Sequence, residues 1–419
     1  MTNFKQISFI LFSFIFFFSI VLSLEVSASQ IYYVSTTGSD DAIGSKEKPW
    51  RTIQHAIDEV SPGDTINVRE GVYDELINIK EIGNISKGWI TIQAHAGEHV
   101  IIDGTNLEVT GSNRAGFSLR DAEGVRIQNF EIRNIKTDDE DRYPAGVLIR
   151  GSSRYIEIIN NDIHHIANYS EDGNAHGIVV YGNRERAIEQ ITIKKNRVHH
   201  LTLGRSESLT VTGNVNGFII DQNSIYDNNN IGIDIAGYYG ACSEANCIDV
   251  ARNGVVSNNL VIRNSSAKNI AYNGSNSAAG IYVDGGRDIK IINNMVSKND
   301  FGLSISSENY GKAAMNVTLQ HNLIINNDKA GLVIGGSDSE NGGAYNNLIE
   351  RNVFIENDRL NGGYRELSIQ HHNINNMFKH NVYYISGIEE YLHISRDANP
   401  KNYFQNETVH FFKQSHTSK

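Results

Sequence analysis

Short runs in which apolar and polar residues alternate recur along most of the chain. They are AGVLIRGS at 145, HGIVVYGN at 176, ESLTVTGN at 207, IGIDIAGY at 231, AGIYVDGG at 279, FGLSISSE at 301, AGLVIGGS at 330 and RELSIQHH at 365. Alternation sends successive side chains to opposite faces of a strand. Most runs are followed by a second short apolar stretch and an asparagine turn, as in YIEIINNDI, QITIKKNRV, DIKIINNMV and NVTLQHNLI. Units recur roughly every 22 to 35 residues, with one gap of 48 between those at 231 and 279. A unit of two or three short strands cannot bury its own apolar face, so it must stack on its neighbours. The runs are too short, and too rich in Asn and Gly at their ends, for helices, and no 3.6-residue apolar period is present. The pattern predicts an all-β solenoid, a right-handed parallel β-helix over 29–385. A β-propeller would need four strands per blade and longer, more regular repeats.

Aligning the runs by their apolar residues gives two inward columns. One is Val147, Ile178, Leu209, Ile233, Ile281, Leu303, Leu332, Leu367, and the other is Ile149, Val180, Val211, Ile235, Val283, Ile305, Ile334, Ile369. A one-residue slip would expose all of them, which fixes the register. The outward columns read Leu148, Val179, Thr210, Asp234, Tyr282, Ser304, Val333, Ser368 and Arg150, Tyr181, Thr212, Ala236, Asp284, Ser306, Gly335, Gln370. Their ends are bland. Their middle carries Asp234, Tyr282 and Asp284, with Glu207 on the preceding rung and Glu308, Tyr310 and Lys312 on the following one.

The same turn of the solenoid carries the longest excursions, 237–253 and 264–278. Long loops on a compact scaffold are disproportionately functional. These would wall a groove across the sheet, with Tyr238, Tyr239 and Tyr272 as exposed aromatic faces. Any one outward Asp or Tyr fits a solvated side chain or a cross-rung hydrogen bond. Their convergence with Glu308, Lys312 and Arg252 from four segments on one face predicts a site. Asn229 and Asn230 are expected to be turn or ladder residues, and His164-His165 and His199-His200 to be repeated turn residues.

Capping and composition add boundaries. PWRTIQHAIDEV at 49–60 places Trp50, Ile53, Ala56, Ile57 and Val60 near helical spacing, a short helix that covers the open N-terminal end. Residues 386–419 lose the repeat and are expected to close or trail from the other end. Lys5 followed by ISFILFSFIFFFSIVL, with VSA at 26–28, reads as a secretory signal peptide over 1–28 and predicts an exported protein, with no membrane contact in the mature form. The formal charge of −11 argues against nucleic acid and anionic membranes as partners. Cys242 and Cys247, the chain's two cysteines, are expected to close a disulfide, since two thiols without a histidine pair are too few for structural zinc. A monomer is expected.

The opening, IYYVSTTGSDDAIGSKEKPWRTIQHAIDEVSPGDTINVREGVY at 31–73, with rungs of this kind after it, resembles the secreted right-handed β-helix proteins of the pectate-lyase-like superfamily. Within that superfamily SESLTVTGNV, NNIGIDIAGYYG, VARNGVV, GIYVDGG and SENYGK resemble bacterial proteins akin to alginate and other polyuronate lyases. The resemblance covers nearly the whole mature chain and implies β-elimination on a polyuronate. Lys312 or Tyr282 would then act as base and acid in either order, and Arg252 would pair with the substrate carboxylate. Asp234, Asp284 and Asp249 would bind calcium or hold the basic groups. Glu207, Tyr238, Tyr239, Asp249, Glu308, Tyr310, Tyr181 and Arg150 would contact the polysaccharide. The main alternative is an inverting glycoside hydrolase. Asp234 and Asp284 are one rung and two residues apart, so their Cα atoms should be roughly 8 Å apart, within the span of an inverting pair. A polyuronate epimerase and a non-catalytic, tailspike-like glycan binder complete the alternatives.

Overall fold

The computed structural model describes residues 29–111, 114–386, 390–395 and 401–412, so the expected signal peptide lies outside the described residues. Each coil gives three short strands, for example Ala279–Asp284, Arg287–Ile292 and Met295–Ser297. Equivalent strands of successive coils pair in parallel to form three long sheets. Among the described residues sheet I has eleven strands, from Ile77–Lys80 to Leu392–Ile394. Sheet II has fifteen, from Ile31–Val34 to Lys401–Gln405, and sheet III has twelve, from Gly71–Tyr73 to Thr408–Phe412. This is the expected right-handed parallel β-helix.

Both inward columns hold: every residue from Val147 to Leu367 and from Ile149 to Ile369 in them is 0% exposed. The strand register places Leu148, Val179, Thr210, Asp234, Tyr282, Ser304, Val333 and Ser368 side by side on the outer face of sheet I.

Turns between sheets follow a two-residue rule. The first residue adopts the left-handed conformation, as at Asn160 (φ 54°), Lys195 (φ 59°), Gln222 (φ 57°), Asn258 (φ 56°) and Asn293 (φ 58°). The second is a buried asparagine. Between sheets II and III, Asn161, Asn196, Asn223, Asn259, Asn294, Asn322, Asn352 and Asn381 form one ladder. The Asn259 backbone N–H and Nδ2 donate to Asn294 Oδ1 at 2.9 and 3.0 Å, while the same Nδ2 reaches the Ile220 carbonyl at 2.9 Å. An amide side chain both donates and accepts, so each rung hands the pattern to the next. Between sheets III and I a second ladder runs through Asn228, Asn264, Asn299, Asn327 and Asn357.

The ends differ from expectation. The capping helix is Ile53–Glu59, begun by Thr52, whose hydroxyl accepts from the His55 N–H at 3.2 Å, and it buries Ile53, Ala56 and Ile57. It starts later than 49 because the Trp50 backbone bonds in strand fashion to Tyr33 and Ser35. Residues 386–419 were expected to cap or trail, but they carry a further coil, Leu392–Ile394, Lys401–Gln405 and Thr408–Phe412, paired in parallel on the preceding one. The asparagine signal is missing there because Glu407 takes the ladder position and accepts from the Asn381 N–H at 3.2 Å. Asn228, not Asn229 or Asn230, is the ladder residue of its turn; Asn229 Oδ1 accepts from the Leu203 N–H at 2.7 Å.

Asn294→Ala removes one rung: the buried Asn259 N–H loses its acceptor, Asn259 Nδ2 keeps only the Ile220 carbonyl, and Asn322 Oδ1 keeps only the backbone N–H of residue 294, so the change should destabilise the fold by about 2 kcal/mol. Asn293→Gly, at the left-handed position before it, should leave stability nearly unchanged. Thermal melts of both variants check this; equal melting shifts would contradict the ladder's role.

Candidate functional site

The outer face of sheet I meets two loops at its middle coils. The first spans 237–251, between Ile233–Ala236 and Arg252–Ser257. Its Cys242–Cys247 disulfide is formed, and Asp249 braces it by accepting from the Gly240 and Cys242 N–H groups at 2.7 and 3.2 Å. Glu244 and Asn246 pin it to the turn at Glu185. The loop thereby holds Tyr239 so that its hydroxyl bonds to Asp284 and, at 3.1 Å, to Glu308. The second loop spans 263–278 and delivers Tyr272, whose hydroxyl accepts from Asn230 Nδ2 at 3.0 Å.

Between them lies a cavity of about 270 Å³ into which four carboxyl groups face, those of Glu207, Asp234, Asp284 and Glu308. His176, Tyr272 and Tyr282 complete much of its wall. Asp234 and Asp284 are 5% and 3% exposed, and Tyr282 is 9% exposed. Asp284 is fixed from both sides, with Tyr239 on Oδ2 and the Glu308 N–H on Oδ1 at 2.9 Å. Asp234 Oδ1 is buried with no partner among the described residues.

Burial and mutual repulsion decide the protonation of this cluster. Burial, then the charge of Glu308, raises Asp284 to about 7. Burial raises Glu207 to about 7, against the Thr210 hydroxyl that donates to it at 2.8 Å. Asp234 is pushed well above its ordinary range, by burial and then by the charges of Glu207, Asp284 and Glu308. Glu207, Asp234 and Asp284 therefore hold shared protons near neutral pH and titrate together. His176 is half-buried and its desolvation pushes it down to about 4, so it is neutral there. Its Nδ1 faces the Glu207 carbonyl and Thr210 Oγ1, each at 3.2 Å, which places the ring proton on Nδ1 and the lone pair on Nε2.

Of the residues expected at the site, Asp234, Tyr282, Asp284, Glu207, Tyr239, Glu308 and Tyr181 line this cavity, and Arg150 lines the space beside it. Lys312 and Arg252 do not. Lys312 lies beyond the strand Phe301–Ser306 with its Nζ 5.0 Å over the Tyr238 ring, a contact that takes Tyr238 out of the cavity as well. Arg252 belongs to sheet II, where its guanidinium donates to Asn214 Oδ1 and the Val250 carbonyl, both at 3.0 Å. Tyr310 is 82% exposed and lines no wall of it. The aspartates expected to share calcium are not assembled either, because Asp249 is occupied by loop amides. Among the described residues no three His, Cys, Asp or Glu side chains are arranged to hold a metal ion.

His176, Arg114 and Arg205 were not anticipated. His176 and Glu207 share a third outward column, two residues before the first inward position, which includes Ala115, Ala145, Ala279 and Phe301. Reading that column would have found His176.

Known proteins share this architecture. A family model described as "Pel9A-like, right handed beta helix region" matches residues 32–176, and one described as "Right handed beta helix region" matches residues 145–354. The chain is 38% identical over 360 residues to the uncharacterized protein YwoF of Bacillus subtilis (strain 168), covering 85% of this chain and 75% of that protein. It is 32% identical over 170 residues to the pectate lyase PEL9 of Emericella nidulans, covering 36% of this chain and 39% of that one. A solved GH136 lacto-N-biosidase from Eubacterium ramulus superposes with a TM-score of 0.62 at 13% identity, covering 91% of this chain and 68% of that one, a likeness of fold.

The carboxyl cluster also predicts a pH dependence of stability. Folded values raised above those of the unfolded chain mean that the cluster is tolerated fully below the ordinary carboxylate range, and that its stability is lost as pH rises through about 7. Asp234→Asn removes one of the four and should raise the melting temperature more at pH 8 than at pH 5. An equal shift at both values would contradict the buried, proton-sharing cluster.

Proposed function

This chain belongs to the right-handed β-helix family, and from that premise we propose that it hydrolyses a glycosidic bond in a polysaccharide laid along sheet I. The observation that carries this reading is the four-carboxyl cavity. Hydrolysis needs one protonated carboxyl group to donate to the leaving oxygen and one ionised group to activate water. Asp234, raised well above its ordinary range and free at Oδ1 among the described residues, is the acid. Asp284, fixed by Tyr239 and the Glu308 N–H, is the base. Both project from the same face, one coil and two residues apart, so their Cα atoms are roughly 8 Å apart, a spacing compatible with carboxyl groups that leave room for the water of an inverting reaction. Elimination would need a base and a cation for the substrate carboxylate. Arg205, the one arginine or lysine lining the cavity among the described residues, is paired with Asp172.

A second reading, β-elimination, is favoured by the 32% identity to a pectate lyase over part of the chain. The two are separable, since elimination creates an unsaturated uronate that absorbs in the ultraviolet and hydrolysis does not. We further propose that the protein acts outside the cell, as the expected leader at 1–28 requires. Recovery of the protein from the medium of expressing cells tests this, and retention in the cells would sink it.

On a polysaccharide panel, the wild type should release reducing ends without a rise in ultraviolet absorbance. Asp234→Asn and Asp284→Asn should each lower kcat by about 10³-fold with KM little changed. Activity should fall below pH about 7 as Asp284 is protonated and fall again at higher pH as Asp234 ionises. Ultraviolet-absorbing products, or full activity in both variants, would overturn the hydrolytic reading.

A further inference from the structure

The cleft does not stop at the carboxyl groups. Toward the N-terminal coils a space of about 710 Å³ adjoins the cavity and shares His176, Val179, Tyr181 and Tyr239 with it. Its floor is apolar although it lies on the outer face of sheet I. Ala115, Ala145, Leu148 and Val179 pack together there, each no more than 5% exposed. A patch of this kind on a solvent face is covered by something. Here the cover is Arg114 and Arg150, beside Tyr143 and Tyr181.

Neither guanidinium has a hydrogen-bond or ion-pair partner among the described residues, and the Nε of each is buried. Asp121 is the one carboxylate whose field reaches Arg150, and it is engaged by the Ser152 N–H at 2.8 Å and by Arg120 at 3.7 Å. Burial, and then the charge of Arg150, pushes the Arg114 guanidinium down from its ordinary value. Two desolvated like charges without a counter-ion are unfavourable, and an arginine stays charged regardless. Several arginines elsewhere on outer faces are matched by a carboxylate, as Arg126 is by Glu157 and Arg263 by Asp227. The unmatched pair lies in the cleft, above an apolar floor and between two tyrosines.

We propose that Arg114 and Arg150 bind the carboxylate of a uronate residue, whose ring rests on Leu148 and Val179 between Tyr143 and Tyr181. Arg150 is aligned through Tyr181 with Thr212, and so lies three coils from the coil of Asp234, about 14 Å away. A planar carboxylate suits guanidinium donors, and the tyrosine rings supply faces for the sugar. The subsite rests on the reading that a polysaccharide lies along sheet I, and it makes that polysaccharide an acidic one.

The test is calorimetric binding to the Asp234→Asn protein, read independently of turnover. The probes are tetramers of galacturonate, glucuronate and mannuronate, the carboxyl-reduced counterpart of each, and a sulfated neutral tetramer. At least one acidic tetramer should bind, its carboxyl-reduced form should bind about tenfold more weakly or worse, and added salt should weaken the acidic form alone. Arg114→Gln and Arg150→Gln should each cost about tenfold, with Arg150→Lys intermediate, while the neutral tetramers are unaffected. Thermal melts like that of the Asp234→Asn protein exclude misfolding. No binding by any acidic tetramer, equal binding of acidic and reduced forms, tighter binding of the sulfated probe, or unchanged affinity in both glutamine variants would overturn the subsite. Failure of the acid–base roles would show instead as surviving turnover in Asp234→Asn, with the arginine dependence of binding intact.

Discussion

The parallel register of the apolar columns is the constraint on which the rest of this molecule depends. Sixteen inward side chains, from Val147 to Ile369, leave no room for a slip, because moving one strand by one residue would turn its apolar set out to solvent. Once that register is fixed, the outward residues have no freedom of position along sheet I. Asp234 lies beside Tyr282, and Asp284 one step further on, because Ile233 and Ile235 lie beside Ile281 and Val283. The site is thus a by-product of core packing on the opposite face of the same strands.

What the register supplies cheaply, electrostatics makes costly. Four carboxyl groups on one face repel one another, and Asp234 keeps a buried oxygen without a partner among the described residues. Most proteins bury such groups only with partners, and a departure from that rule marks a place where stability has been traded for chemistry. The surrounding devices fit that view. The disulfide and Asp249 stiffen the loop that carries Tyr239, and Asn230 and Asn269 anchor the loop that carries Tyr272. Rigid loops on a rigid sheet hold the protons where a substrate would meet them.

The fold was legible in the sequence because it repeats. A period of strands and asparagine turns is a redundant signal, and the inward columns follow from it residue by residue. Part of the site was legible for the same reason, since Asp234, Tyr282 and Asp284 lie on strands whose register the core dictates. What was not legible lies off the strands or on another sheet. Arg252 has a strand position, but in sheet II, and nothing in its neighbourhood in the sequence says which sheet a strand joins. Lys312 follows a strand of sheet I, and the direction of a loop side chain is not written in a period of two. The last coil escaped notice because a glutamate replaced the asparagine that announced the others.

That replacement has a meaning of its own. A stack of similar coils has no intrinsic reason to end, and an asparagine at each turn always asks for another above it. Glu407 and Glu366 answer the two ladders with groups that, when ionised, only accept: Glu407 takes the Asn381 amide donors, and Glu366 those of Asn357. The relay of donors therefore has a polarity and a terminus written in two residues. Length in this solenoid is a chemical property, set by where the alternation of giving and receiving is broken. A coil could be inserted anywhere before those glutamates and be received by its neighbours. Beyond them the same coil would meet carboxylates in place of the asparagines of these two ladders.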